Sequence, residues 1–301
     1  MARKLASKRI KYSISDKIFY TITAVILFVL FILFAYPLIF VVSASFSSGR
    51  AVASGQVILW PVDLSLEGYR HVFNHNLIVR SYWNTLRYTT MGTLFNLTLV
   101  LLAAYPLSRA DLKGRNFFML FFVFTMMFSG GIIPSFLLMR DLRILNTMWV
   151  MVLPGFPIFL MIISRTFIQS NVPSELLESA QIDGCSDVRY FFAILLPLSK
   201  AVIAVVTLFA AVGHWNAFFS ALMFLHSRNL MPLQIILREI LILNQIDMSM
   251  VTDPEMVIAM LQTADVIRYA LIVVATVPIL CAYPFAQKYF VKGVMIGSIK
   301  G

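Results

Sequence analysis

Six stretches of at least 18 residues contain no Asp, Glu, Lys or Arg: 18–49, 88–108, 116–139, 144–164, 201–227 and 269–287. Crossing ~30 Å of hydrocarbon takes about 20 mostly apolar residues in a helix. Each stretch meets that length and is rich in Leu, Ile, Val, Phe or Met. Only 13% of the 301 residues are charged, against about 25% in an ordinary soluble domain. The pattern predicts an all-α integral membrane chain with spans at about 18–45, 85–108, 116–139, 146–166, 200–225 and 267–287. The first run is far longer than the 7–15-residue apolar core of a signal peptide, so it reads as a retained anchor.

The net charge of +10 is distributed along the chain in a way that sets orientation. With both termini on the inside, the inside segments (1–17, 109–115, 165–200, 288–301) carry 15 basic and 6 acidic residues. The outside segments carry 9 basic and 8 acidic. The basic excess is therefore a topology signal, and nucleic acid is not needed as a partner. Long outside connections run over 46–82 and 228–266, and one long inside connection over 165–200. There is no internal repeat and no linker, so the whole chain, 1–301, reads as one transmembrane domain.

Several chemistries are excluded or weakened. No Gly-Lys dipeptide occurs, so the chain carries no phosphate-binding loop of its own. Among titratable side chains the six stretches hold only His214 and His226 besides Tyr and Cys, which disfavours a proton-coupled carrier. No HExxH or GxSxG pattern and no paired intramembrane aspartates suggest an intramembrane enzyme. His71 and His75 have helical metal-ligand spacing but lack an obvious third ligand, and no metal is expected. Cys185 and Cys281 lie too far apart to read as a cysteine-built metal site.

The inside connection 171–197 is too polar to span and too apolar to be a free loop. Pro173 suits a first helical turn, Glu175 and Glu178 favour its positive end, and Gly184 suits a left-handed helix stop. A second amphipathic run, Val188 to Leu196, ends at Pro197. Two short helices around a glycine bend are predicted, and the acidic residues could serve simply as dipole and cap groups.

Within this connection, Glu178-Ser179-Ala180-Gln181-Ile182-Asp183-Gly184, followed by Phe191, Phe192, Ile194 and Leu196-Pro197, resembles the EAA motif of bacterial ABC-importer permeases. Ser179 replaces the usual middle alanine, and Lys200-Ala201 stands where many members have Lys-Pro. Phe128-Ser129-Gly130-Gly131, Gly213-His214-Trp215-Asn216 and the tail from Tyr289 to Ser298 resemble the carbohydrate-uptake branch that includes maltose-type and LplC-like oligosaccharide permeases. The resemblance covers nearly the whole chain. It implies a non-catalytic translocation subunit in a bacterial cell membrane, moving oligosaccharide by alternating access.

It also implies the partners: a second homologous permease, two ATPase subunits that hold ATP and magnesium, and an extracellular solute-binding protein. This chain would bind no cofactor itself. Glu178, Ser179, Ala180, Asp183 and Gly184 would form the helix that engages the ATPase. Gly297, Ser298 and Lys300 in the tail would reach along that interface. Candidate path residues, from sugar chemistry and helix breakers, are Trp215, Asn216, His214, Asn84, Gly130 and Gly131, with Asn96 and Tyr105 as further candidates. In maltose-type systems the partner permease holds the sugar, which implies a minor share for this chain. The residues alone leave open a permease for a non-sugar solute, an ATPase-independent carrier or channel, and a membrane-anchored interaction protein.

Overall fold

The computed structural model describes residues 13–74, 77–246 and 254–297. Among the described residues the chain is all-α, with no strand. The helices are α1 (Ile14–Ser45), α2 (Gly49–Ala53), α3 (Glu67–Asn74), α4 (Ile78–Ser108), α5 (Arg115–Met127), α6 (Ile132–Asp141), α7 (Trp149–Val152) and α8 (Ile158–Asn171). Then come α9 (Ser174–Ile182), α10 (Asp187–Tyr190), a π-helical turn over Phe191–Leu195, α11 (Leu196–Leu198), α12 (Lys200–Trp215), α13 (Phe219–Phe224), a 3-10 turn at Arg228–Leu230, α14 (Leu233–Ile246) and α15 (Pro254–Gly297).

Three of these segments are single helices long and apolar enough to cross a membrane: Ile14–Ser45, Ile78–Ser108 and Leu261–Pro284 within α15. Two bent pairs raise the number to five if each makes one crossing. The predicted third span, 116–139, is one of them. It breaks after Met127, and α5 and α6 meet at 111°. The break falls at Gly130-Gly131, where Gly131 has φ +86°, a conformation open to glycine and costly for other residues. The predicted fourth span, 146–166, is not one helix either. It is interrupted between α7 and α8 at Pro154-Gly155-Phe156-Pro157, with Gly155 at φ +91°. The predicted fifth, 200–225, ends as a helix at Trp215 and resumes as α13. Apolar composition sets where a segment can be buried, while these glycines and prolines set where its backbone ladder stops.

Two compact units emerge from the backbone contacts: Met1–Arg70 with Val251–Val273, and His71–Met250 with Val274–Gly301. In the first, Ala44, Ala51 and Val57 form a small core against Phe40, Val62 and Tyr269. Gly49 and Gly68 lie so close to Gln262 and Val266 that a β-carbon on either would overlap the facing backbone. Serines stitch the turn after α1. Ser43 Oγ donates to the Leu59 carbonyl at 2.6 Å, and the Val62 amide donates to Ser47 Oγ at 3.0 Å.

In the second unit α4 is the central element, packed on α12 and α8. Val100, Leu101, Ala104 and Leu107 of α4 meet Leu160, Met161 and Ile168 of α8 and Val202, Val206 and Ala210 of α12. Ala180, Tyr190, Phe191 and Leu195, all from the connection between α8 and α12, belong to this same core. α5 differs sharply: none of its side chains is buried, although Phe117, Phe118, Leu120, Phe121 and Phe124 are all on it.

Candidate functional site

The connection between α8 and α12 is a packed structure. Pro173 is the N-cap of α9, one position before the first turn where its sequence placed it. Glu175 occupies that first turn, and Ser179 Oγ donates back to the Glu175 carbonyl at 2.7 Å. The helix ends at Asp183. Gly184 follows at φ +72°, as its sequence predicts. The Cys185 amide donates to the Ala180 carbonyl at 2.8 Å and the Gly184 amide to the Gln181 carbonyl at 3.0 Å. This pair of bonds is the Schellman stop, which satisfies two of the carbonyls left open at a helix end. A β-carbon on Gly184 would meet nothing within 4 Å, so the glycine is required by its backbone angle rather than by crowding within the chain.

Ala180 turns inward and is 7% exposed. Glu178, Gln181, Ile182 and Asp183 are exposed, and Ile182 is 86% exposed. Among the described residues neither Glu178 nor Asp183 makes an ion pair or a side-chain hydrogen bond within the chain. The loop therefore presents a rigid knob with an apolar tip and two available carboxylates. Val188, 68% exposed, and Phe192, 62% exposed, add apolar surface from the following turns. The sequence pointed to the small and acidic residues of this face and passed over Ile182, Val188 and Phe192 as contact residues. Their exposure at the end of a core-anchored helix is the signal.

Beneath the knob sits a clamp that the sequence did not suggest. Arg109, the C-cap of α4, donates from Nε and Nη2 to both carboxylate oxygens of Asp111, at 2.9 and 2.6 Å. Its Nη1 donates to Asp187 Oδ1 at 2.6 Å and to the Tyr105 hydroxyl at 3.2 Å. The Arg109 side chain is only 15% exposed. Hydrogen bonding to Asp111 first, and to Asp187 after it, holds the guanidinium charged far above its already high ordinary value. The same bond pulls the Asp111 carboxyl below its ordinary range. Tyr105 in turn stacks on Tyr190, with centroids 6.1 Å apart, and packs against Phe191. Tyr105, a sequence candidate for sugar contact, thus belongs to the base of this loop.

Other side chains close the end of α4. Arg165 Nε donates to the Leu107 carbonyl at 2.9 Å, Gln169 Nε2 to the Ser108 carbonyl at 3.0 Å, and Arg115 Nη1 to the Arg109 carbonyl at 3.3 Å. Cationic and amide donors at a helix C-terminus fill open carbonyls and oppose the dipole. A cavity of about 560 Å³ remains between this end and α9, lined by Tyr105, Arg109, Arg115, Gln169, Glu175 and Tyr190 among others.

The candidate path residues are dispersed. Asn84 is buried at the N-terminal end of α4 and donates to the carbonyls of Asn229 and Met231, at 2.8 and 3.2 Å. Tyr88 donates to the Leu230 carbonyl at 2.8 Å, and the Leu233 amide donates to Thr85 Oγ1 at 2.8 Å. Together they pin the entry to α14. Trp215 is 5% exposed, its indole N–H donates to the Ala275 carbonyl at 3.0 Å, and its ring meets Tyr82 edge-on. Its ring and its donor are thus engaged within the chain. His214 lies against α4, with Nε2 3.0 Å from Asn96 Nδ2. A β-carbon on Gly92 would overlap its imidazole. Beside it, Thr89 Oγ1, Thr93 Oγ1 and Asn96 Oδ1 are buried without a hydrogen-bond partner.

Asn216, the C-cap of α12, is exposed, and its Oδ1 stands 3.5 Å from Gln234 Nε2 of α14. Gly130 and Gly131 are exposed at the α5–α6 break. Of the tail candidates, Gly297 ends α15, while Ser298 and Lys300 lie outside the described residues. His75 lies outside them as well. Among the described residues no group of three His, Cys, Asp or Glu comes together as a metal site.

Comparison with known proteins agrees with this layout. Residues 97–296 match the family model described as the inner membrane component of binding-protein-dependent transport systems. The polygalacturonan/rhamnogalacturonan transport system permease protein YtcP of Bacillus subtilis is 44% identical over 269 residues, covering 88% of this chain and 92% of that protein. Protein LplC of the same organism is 40% identical over 266 residues, covering 88% of this chain and 89% of its own length. Among solved structures, a chain of a bacterial ABC transporter involved in the import of the acidic polysaccharide alginate superposes with a TM-score of 0.81. It shares 33% identity over 94% of this chain and all of that one.

Proposed function

The chain belongs to the family of inner membrane components of binding-protein-dependent transport systems, and we propose from that premise how it works. It is a permease subunit of an ABC importer for oligosaccharides in a bacterial cell membrane. Its own part is translocation; ATP and magnesium belong to two partner ATPase subunits, and the chain holds no cofactor. A second, homologous permease completes the pathway, and an extracellular binding protein delivers the sugar. We read 1–301 as one transmembrane domain made of the two compact units. Six crossings with both termini inside fit the charge distribution. That places α9 to α11 on the ATPase side and α14 on the delivery side.

The observation that carries this reading is the exposed, core-anchored α9. Its buried Ala180 and Schellman stop fix Ile182, Glu178 and Asp183 as one body, which can seat in a cleft of an ATPase and move with it. Ser179 and Gly184 leave the approach unobstructed. The clamp at Arg109 ties the same body to α4, so a displacement of the loop reaches the helix at the centre of the second unit. Asn216, at the opposite end of α12, and the break at Gly130-Gly131 border the solute path; Asn84 and Trp215 support it, and His214 sits in its wall. By the resemblance, the tail residues Gly297, Ser298 and Lys300 would contact the ATPase.

The sugar is acidic. The matched solved structure belongs to a system that imports the acidic polysaccharide alginate, and YtcP, 44% identical, is named as a permease for polygalacturonan and rhamnogalacturonan, both of which contain uronic acid.

The test is purification of tagged chain in mild detergent, wild type beside Gly184→Arg, with bound proteins and ATP hydrolysis measured. We expect a second permease and an ATPase with the wild type, and loss of the ATPase from the variant while the second permease stays. Normal ATPase association and uptake in the variant would remove α9 from the interface.

A further inference from the structure

Arg238 lies on α14, outside the apolar stretches, and its side chain points away from the core. Its guanidinium stands 4.7 Å from the centroid of the Phe218 ring. Arg238 is exposed, whereas its neighbours Leu237, Ile236 and Ile235 are buried. Among the described residues it has no carboxylate partner. Nearby charge is otherwise neutralised: Arg228 Nη2 reaches Glu239 Oε2 at 2.9 Å, which occupies the one carboxylate on α14. One helical turn before Arg238 and on the same side of α14, Gln234 approaches Asn216 at 3.5 Å. Asn216 and Phe218 lie two positions apart in the break after α12, where the Phe218 amide donates to the Asn216 carbonyl at 2.7 Å.

Four groups thus converge from two elements. The platform is held from below. Asn84, Thr85 and Tyr88 of α4 fix the backbone of residues 229–233, which sets the position of the first turn of α14. Leu233 and Ile236 are fully buried beneath it. The cation is consequently presented on a fixed helix rather than on a free loop.

We propose that Arg238, with Phe218, Gln234 and Asn216, forms a binding subsite for the carboxylate of a uronic-acid unit at the delivery-side mouth of the solute path. The chemistry is specific to this ligand class. A guanidinium offers two parallel donors that match a carboxylate, and such charge-assisted bonds are about twice as strong as neutral ones. The Phe218 ring, 4.7 Å from the guanidinium, gives the side chain a partner before binding and limits the rotamer freedom lost on binding. Asn216 Nδ2 donates to the Val212 carbonyl at 3.0 Å, which fixes its Oδ1 outward; that oxygen and the Gln234 amide, only 3.5 Å apart, suit ring hydroxyls and can exchange their long contact for a sugar. A neutral oligosaccharide would leave the cation unmatched and gain nothing from it. The inference rests on the reading of the cargo as acidic and adds the residue that senses the charge.

The test uses the complete importer in proteoliposomes, with saturating binding protein and labelled tetragalacturonate as the probe. Wild type is compared with Arg238→Lys, Arg238→Gln and Arg238→Glu, and the amount of assembled complex is measured for each. We expect uptake to fall about tenfold in Arg238→Gln and further in Arg238→Glu, with Arg238→Lys keeping most of it. Uptake by the wild type should also weaken with added salt more steeply than in Arg238→Gln. Wild-type uptake in Arg238→Gln, or equal losses in the Gln and Glu variants, would overturn the subsite while leaving the acidic cargo in place. A wild-type importer that carries neutral oligosaccharides and refuses tetragalacturonate would overturn both.

Discussion

At the scale of single residues, two positions carry most of the local argument. Gly184 was legible in the sequence because a glycine after an amphipathic turn has a specific conformational use, and it adopts φ +72°. Gly184→Ala should destabilise the turn by about 1 kcal/mol, and Gly184→Asn by less, since asparagine tolerates the left-handed region. Thermal unfolding of the two variants in the same detergent checks the order. Arg109 was not legible, because its partner Asp187 is 78 positions away and nothing local announces the pairing. Asp187 is 57% exposed, so Asp187→Asn should change stability by no more than about 1 kcal/mol. Uptake should nonetheless fall while ATP hydrolysis persists, and Arg109→Ala should do the same. A double-mutant cycle checks that both act through one contact: the combined loss should be smaller than the two single losses added together. The pH dependence has a clear sign. Asp111 is held below its ordinary value by Arg109, so its contribution is present above the ordinary carboxylate range and fades as pH falls through the lowered value. Between about pH 5 and pH 8 its arm of the clamp stays ionised, and the uptake profile there should be flat with respect to this group.

At the scale of elements, the apolar stretches were easy to find and hard to interpret. α1 and α4 run through their predicted limits, and α4 starts earlier, at Ile78; its first turns bury Ile78 and Ser81 and hold the entry to α14 through Asn84, Thr85 and Tyr88. The third to fifth stretches are broken, at Gly130-Gly131, at Pro154-Gly155 and after Trp215. The first two carry a glycine at positive φ, and the second has prolines beside it, whereas the break after Trp215 has neither; composition by itself says nothing about how far the chain turns there. The 111° bend between α5 and α6 is a tertiary outcome. Helix α4 also shows what close approach demands. Gly92 leaves room for the His214 ring, so Gly92→Ala should push the imidazole out and loosen the α4–α12 seam, lowering the unfolding temperature more than the same change at the open Gly213. A larger effect at Gly213 would contradict that packing.

At the scale of the whole molecule, orientation is the property most open to a direct check. In a chain freed of Cys185 and Cys281, Ile182→Cys should react only with reagents that reach the inside, and Leu64→Cys with impermeant reagents outside. Both parent side chains are more than four-fifths exposed, 86% and 81%. Reversed labelling would invert the arrangement drawn from the charge distribution. The apolar stretches, the basic excess and the spacing from Glu178 to Pro197 determine the class of molecule, its membrane setting and the segment we assign to ATPase contact, because hydrophobic length, charge asymmetry and short-range turn chemistry are all written in neighbouring residues. What only the tertiary structure decided is which polar groups face each other. Arg109 meets Asp187, Asn84 holds Asn229, Trp215 spends its N–H on Ala275, and Arg238 is left over Phe218 without a carboxylate among the described residues. Those relations join residues tens of positions apart on different helices, and side-chain donors find their acceptors only after packing has brought the helices together.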